Sequence, residues 1–332
     1  MKTWQNLQAN PHLFQRYFVK EYLIQSVREF FLQKSYHELE SPILAEALPQ
    51  ERYLNVFNVK LKEKAAYIIP TTETYNKKIL AAGLGEHFVI TKVARNMEET
   101  GPNHLPEFTM LEWYHLNANY KDLMTDTEDL FNFLLPQIAD KLLSERELRR
   151  FPIDLSLIEA LGAKKIVYKE NIIDFSKGFL RFSIPELLTD HLKISLEEIQ
   201  DTRQFIKKAQ SLGVNVKQDE SWQICYEMLF AQLIEPKLPQ NTPFFIYDFP
   251  KQICVLTAPK KENPNVCERV EFFIAGQEIG NGYTELLDPM LQKKNFDLEQ
   301  KARKNLGLEP INYDYDLVEA LKSGLPPVAG IG

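Results

Sequence analysis

Residues 11 to 34 carry apolar side chains at helical spacing, with Phe14, Tyr17, Ile24, Val27 and Phe31 on one stripe and charges elsewhere, which predicts a long amphipathic helix. The helix stops before Glu38-Leu39-Glu40-Ser41-Pro42-Ile43-Leu44, an extended segment whose proline suits a sheet edge or the limit of a strand. From Tyr67 the pattern becomes strand-like, and Thr72 to Ala82 predicts a helix that Gly83 ends. His87 to Ala94 and Glu107 to Leu116 alternate as strands across a polar loop rich in Gly, Pro and Asn, so an antiparallel hairpin with a long connection is expected. Residues 121 to 150 are helical. A mixed segment over about 151–220, with a charged helix-like stretch near Glu197 to Gln210, reads as an insertion. Ser221 to Ile234 predicts a helix, Phe244 to Phe249 a buried strand, and Glu268 to Ile279 one further strand. Strands separated by helices but joined by a hairpin point to an α+β fold, an antiparallel sheet flanked by helices. No internal repeat is visible.

Composition narrows the class. The chain has 332 residues, 44% hydrophobic and 26% charged, enough to bury a large core as one elaborated domain or a domain with an insertion. A net charge of -7 argues against a broad nucleic-acid-binding face, which needs clustered Lys and Arg. The three cysteines, Cys225, Cys254 and Cys267, are odd in number and widely spaced, fitting neither a disulfide framework nor a zinc site. Lys2, Thr3, Trp4 and Gln5 open no apolar leader, and no stretch approaches the roughly 18 apolar residues of a membrane span. A cytoplasmic protein without membrane contact is the expectation.

The most informative chemistry lies on the hairpin. The period of two puts Phe108, Met110, Glu112 and Tyr114 on one face of the strand, an aromatic ring, a carboxylate and a phenol together. Alone, such a strand reads as half-buried with a polar rim. Its partner strand ends in Ala94-Arg95-Asn96-Met97-Glu98-Glu99 and the loop returns through His104, so a guanidinium, acids and an imidazole border the aromatic face. That set can hold a triphosphate by charge-assisted contacts and a base by stacking. No glycine-rich loop of the P-loop type is present to explain phosphate binding otherwise. A second constellation, Gln277-Glu278-Ile279-Gly280-Asn281-Gly282-Tyr283-Thr284-Glu285, has two carboxylates suited to a divalent metal or an ammonium group. In an unbroken strand Glu278 and Glu285 face opposite ways, so Gly280 and Gly282 are expected to supply a break or bulge that brings both to one pocket.

Arg95-Asn96 followed by His104-Leu105-Pro106-Glu107-Phe108-Thr109-Met110-Leu111-Glu112-Trp113-Tyr114 resembles motif 2 of class II aminoacyl-tRNA synthetases, in the lysyl branch. Asn281-Gly282-Tyr283-Thr284-Glu285-Leu286 is similar to that branch's substrate-binding strand. The long helix and Pro42 resemble motif 1, which implies a homodimer, and Gly330-Ile331-Gly332 resembles the opening of motif 3. The likeness covers 13–332 as a catalytic domain after an N-terminal extension of 1–12. Within the branch it is nearest to the short paralogue that attaches β-lysine to a lysine of elongation factor P, because few residues precede the motif 1 helix and Leu238 to Pro250 resembles that paralogue. The family's motif 3 arginine would lie beyond Gly332, so the resemblance implies truncation within motif 3.

The resemblance also implies roles. Arg95 would bind the ATP α-phosphate and the substrate carboxylate, His104 the phosphates, and Phe108 would stack on adenine. Glu278 would hold Mg2+. Glu73 with Thr71, Tyr114, Asn281, Tyr283 and Glu285 would form the site for a lysine or β-lysine substrate. Ala94 stands where the family carries an aromatic, Met97 intrudes before Glu98, and either Glu98 or Glu99 takes the ATP contact; Thr72 replaces a proline. The implied reaction is ATP-dependent activation of lysine or β-lysine to an aminoacyl-adenylate, then transfer to a protein lysine, with elongation factor P as the acceptor. The alternatives are a lysine–tRNA ligase or its catalytic fragment, with tRNA as a less favoured partner, and a non-catalytic binding paralogue. An amino-acid:ammonia ligase is disfavoured because paired acids suit a cationic side chain better than aspartate.

Overall fold

The computed structural model describes residues 2–49, 51–96, 105–149 and 152–332. Helices α1 (Thr3–Ala9) and α2 (Gln15–Gln33) are followed by β1 (His37–Leu39), β2 (Leu44–Ala45), the hairpin β3 (Asn58–Leu61) and β4 (Lys64–Ile68), and helix α3 (Glu73–Ala81). The hairpin β5 (His87–Ala94) and β6 (Glu107–Leu116) leads to helix α4 (Tyr120–Arg149). Then come α5 (Leu155–Gly162), the hairpin β7 (Lys165–Tyr168) and β8 (Asn171–Asp174), β9 (Leu180–Ser183), α6 (Ile184–Leu192), α7 (Thr202–Ser211) and α8 (Trp222–Leu229). Strands β10 (Phe244–Pro250), β11 (Val266–Ile274) and β12 (Gln277–Thr284), helices α9 (Pro289–Asn305) and α10 (Tyr315–Ser323), and β13 (Val328–Ile331) follow. Eight strands hydrogen-bond in the order β1-β5-β6-β13-β12-β11-β10-β9. The β1–β5 and β9–β10 pairs are parallel, whereas β5–β6, β6–β13 and β12–β13 are antiparallel. The expected α+β class, a large and mainly antiparallel sheet flanked by helices, is what the chain forms.

Two compact units are present: residues 1–35, 124–247 and 270–280 in the first, and 36–123, 248–269 and 281–332 in the second. The first has an aromatic core in which Phe131 stacks on Phe175 and Phe179 on Phe245, with centroids 5.2 and 4.9 Å apart. Its helices start where the local chemistry dictates. Ser183 and Glu186 form a capping box at α6, and the Asp201 carboxylate accepts from the Gln204 amide at α7, satisfying amide groups that a helix start leaves without partners.

The second unit is organised by the β5–β6 hairpin, in register from His87 against Tyr114 to Ala94 against Glu107. Leu80 of α3 packs with Tyr114 of β6 and Val328 of β13. Glu73, Asn76 and Lys77 share that face of α3 by their three- and four-residue spacing. A second cluster joins Tyr283, Phe296, Tyr313 and Leu317.

One expected element resolves differently. Glu268 to Ile279 was expected as a single strand, but β11 and β12 are two strands, reversing at Ala275 and Gly276, whose φ values are +54° and +70°. Positive φ at two successive residues gives the tight turn that matches the twist of paired strands. Alanine is a weak signal for it. The expected break at Gly280 and Gly282 is also corrected, since β12 runs without interruption through both. Gly282 serves close packing instead: a Cβ there would lie 2.5 Å from the Ile331 Cβ and 2.7 Å from the Gly330 carbonyl oxygen.

Arg303 of α9 is 4% exposed and donates to four backbone carbonyls, those of Glu51, Arg52, Leu54 and Glu309, at 2.9 to 3.2 Å. Beside it Glu299 pairs with the Arg52 guanidinium and accepts from the Arg52 amide at 2.9 Å. The segment before β3 is therefore tied to α9 by charge-assisted bonds. Arg303→Met should lower stability by about 3 to 5 kcal/mol, because several carbonyls lose their partner. Equilibrium urea unfolding reads this directly; a loss below about 1 kcal/mol would show the clamp to be dispensable.

Candidate functional site

Three carboxylates converge in the second unit: Glu73 at the start of α3, Glu112 on β6, and Glu285 just after β12, which are 8%, 4% and 2% exposed. Tyr114 and Tyr283 line the same place, both buried. Glu112 is held by neutral donors. It accepts from the Thr71 hydroxyl at 2.6 Å, the Thr72 amide at 2.9 Å, the Asn76 Nδ2 at 3.2 Å and the Tyr114 hydroxyl at 3.3 Å. The Tyr283 hydroxyl donates to Glu73, and the Glu73 amide donates to the Thr71 hydroxyl at 3.1 Å.

Close strand packing makes the floor. Gly330 of β13 lies opposite Tyr114 on one side and Tyr283 on the other. A Cβ on Gly330 would sit 2.5 Å from the Tyr114 ring and 2.8 Å from Glu285 Oε1, and one on Gly332 would sit 2.9 Å from the Glu112 side chain. Glycine at both positions leaves room for the carboxylates and the phenol. The Gly332 backbone pairs in both directions with Asn281, at 2.9 Å each way.

Sequence reading missed the cation at the centre. Lys77, 3% exposed, places its ammonium 2.6 Å from Glu285 Oε2, in contact with Glu73, and 5.3 Å from the centre of the Tyr283 ring. Burial alone would lower its pKa, but Glu285 and Glu73 outweigh that and push it up. Burial raises the Glu285 carboxyl, opposed by Lys77, and raises Glu112 against its hydrogen bonds from Thr71 and Thr72. Both phenols are pushed well up by burial and by the surrounding carboxylates, so they remain donors. From sequence, Glu112 is legible only as sharing a face with Phe108 and Tyr114. Among the described residues, the buried Asn76 Oδ1 has no hydrogen-bond partner.

Arg95 lies just past β5, half-buried, its Nε donating to the Pro70 carbonyl at 3.2 Å and its guanidinium 5.6 Å from the centre of the Phe108 ring. The guanidinium thus lies over the ring. Pro70 directly precedes Thr71, so Arg95 borders the carboxylate pocket. Glu98, Glu99 and His104 lie outside the described residues. Glu278 is solvent-exposed on β12 and Asn281 is half-buried. Among the described residues no group of three or more His, Cys, Asp or Glu is placed to hold a metal by itself. Magnesium in nucleotide sites keeps several waters and takes one or two carboxylates with the phosphates. Among the described residues, no helix is long and apolar enough to cross a membrane.

A family model described as tRNA synthetases class II (D, K and N) matches residues 2–332. The chain belongs to this family. Among similar proteins, the lysine–tRNA ligase of Legionella pneumophila strain Corby is 32% identical over 338 residues, covering 100% of this chain and 62% of the relative. The lysine–tRNA ligases of Buchnera aphidicola subsp. Baizongia pistaciae and of Carboxydothermus hydrogenoformans are 32% and 30% identical, each matched over 98% of this chain and 62% of its own length. The chain spans about 62% of the length of these curated relatives.

Proposed function

We propose that this domain binds lysine and uses ATP to activate it: a lysine carboxylate oxygen attacks the α-phosphorus, the bond to the bridging oxygen of pyrophosphate breaks, and lysyl-adenylate and pyrophosphate result. The observation that carries the reading is the charge of the pocket. With every group ionised, Glu73, Glu112 and Glu285 against Lys77 carry a formal charge of -2, which two ammonium groups would neutralise; Glu285, its pKa raised to about 8 by burial, ionises last. A neutral pocket would leave those groups buried and unpaired, at a cost of several kcal/mol. Arg95 would take the carboxylate of the same molecule and stabilise charge at the α-phosphate, with Phe108 beside it for the base. Magnesium would screen the phosphates.

The relatives are lysine–tRNA ligases, and lysine tRNA is therefore the acceptor we favour, in place of the protein acceptor that the sequence suggested. Transfer of β-lysine to elongation factor P is the second reading, supported by the net charge of -7. A homodimer remains part of the proposal. Calorimetric titration with L-lysine and β-lysine, pyrophosphate exchange, and transfer assays offering lysine tRNA and elongation factor P separate these readings. Lysine binding, exchange and tRNA charging are expected. Modification of elongation factor P with tRNA left uncharged would select the second reading, and binding without exchange would select a non-catalytic role. No binding of either amino acid by folded protein would sink the proposal.

A further inference from the structure

The carboxylates that a ligand ammonium would need are already engaged by a side chain of the protein. Lys77 reaches both Glu73, one helical turn away on α3, and Glu285 on the far side of the pocket, and it is as buried as they are. A surface lysine at this helical spacing would add only a few tenths of a kcal/mol. Here the ammonium bridges two elements inside a buried cluster.

We propose that Lys77 is the pocket's resident counter-ion, a specificity-determining residue that sets the net charge met by the amino acid and holds Glu73 and Glu285 on either side of its ammonium. The inference rests on the proposed lysine-binding function and deepens it. Two carboxylates held close without a cation repel each other, and that repulsion together with burial raises the Glu285 pKa further. With Lys77 between them the repulsion is offset, so an arriving ammonium meets two carboxylates with one positive charge already in place. The neutral side chains around it support this division. Glu112 is satisfied by hydroxyl and amide donors, and Tyr114 and Tyr283 donate to Glu112 and Glu73. Lys77 is then the cation that Glu285 contacts, and an arriving ammonium must share it or displace it.

The groups facing Glu285 are Lys77 and Glu73 of α3, Glu112 and Tyr114 of β6, and Tyr283 of β12. Of these only Lys77 lowers the Glu285 pKa, while Glu73 and Glu112 raise it together with burial. The sign follows. An ammonium ligand needs the ionised carboxylate, so affinity is present above the Glu285 pKa and lost as pH falls through it. Removing Lys77 moves that loss to higher pH.

The test is L-lysine affinity by calorimetry between about pH 6 and pH 9, in the parent, Lys77→Met and Lys77→Arg. The Met variant should show its affinity midpoint raised by about one pH unit or more, with affinity near pH 6 at least about tenfold below the parent and a smaller deficit near pH 9. The Arg variant, charged throughout, should return the midpoint to the parent's. A merely structural role would lower affinity by the same factor at every pH, and that result overturns the proposal. If the Met variant does not fold, Glu285→Gln is read instead: its residual affinity should be nearly flat with pH, and a profile unchanged from the parent overturns the proposal. If the parent itself binds no lysine, the functional reading falls, and this inference with it. If the parent binds and the Met profile does not move, only the inference falls.

Discussion

Gly330→Ala should abolish most lysine binding while leaving a folded protein. The added methyl carbon would sit 2.5 Å from Cε1 and 2.8 Å from Cδ1 of Tyr114 and 2.8 Å from Oε1 of Glu285, closer than real contacts allow. None of these neighbours is a flexible surface chain. Tyr114 is 2% exposed, stacked on His87 with centroids 5.3 Å apart and packed against Leu80 and Val328. Glu285 is fixed by Lys77. Relief must come from β13 or from the pocket itself, and overpacking of this kind typically costs about 1 to 3 kcal/mol of stability. Shifting the carboxylate and the phenol together should cost lysine affinity about a hundredfold, or about 2.7 kcal/mol. Gly162→Ala is the control: its Cβ would meet only the Ala139 Cβ, at the ordinary distance of 3.9 Å. Affinity should then stay within about twofold, since surface-like changes move free energies by only about 0.5 kcal/mol. Parent-like lysine affinity in Gly330→Ala would mean that the pocket floor is elsewhere.

How much of this could be read from the chain depends on how far each interaction reaches along it. The β5–β6 hairpin matches its sequence bounds because alternation is a local signal with a two-residue period. It placed Phe108, Glu112 and Tyr114 on one face before any pairing was known. Helix α3 was equally legible from Thr72 to the stop at Gly83. The division of β11 from β12 was not, since it depends on a positive φ at Ala275, a residue that seldom adopts one.

Lys77 shows the limit most clearly. Within α3 it reads as one of two adjacent lysines, Lys77 and Lys78, of an amphipathic helix, and such lysines are ordinarily solvated. Lys78 keeps more of that character, 29% exposed at its side chain and paired with Asp314 and Asp316. Lys77 differs only because Leu80 anchors α3 on Tyr114 and Val328, which turns its neighbour toward Glu285. That carboxylate arrives from a strand remote in sequence, and no local pattern encodes the meeting. Gly330 is a similar case, since its need for a missing side chain arises from β6 and β12 passing on either side.

Arg95→Ala should have the largest effect on chemistry, and its effect on binding should depend on whether the ligand carries a carboxylate. The guanidinium borders Thr71 through its bond to the Pro70 carbonyl and lies over Phe108, between the carboxylate pocket and the aromatic ring proposed for the base. Charge develops at the α-phosphate as the lysine carboxylate attacks, and a positioned donor there is typically worth about 2.7 to 4 kcal/mol, or about a hundred- to a thousandfold in rate. Pyrophosphate exchange should fall by that factor. Arg95→Lys should recover only part of it, because an ammonium lacks the planar fork that meets two oxygens at once. Binding supplies an independent reading. L-lysine, which presents a carboxylate, should bind Arg95→Ala at least about tenfold more weakly, a loss of about 1.4 kcal/mol. Cadaverine, which has both amines and no carboxylate, should bind the parent and the variant alike. If cadaverine weakens as much as lysine, Arg95 acts by holding the pocket's shape through Pro70 and Thr71 rather than by contacting the carboxylate. If neither ligand weakens and exchange persists, Arg95 is outside the site.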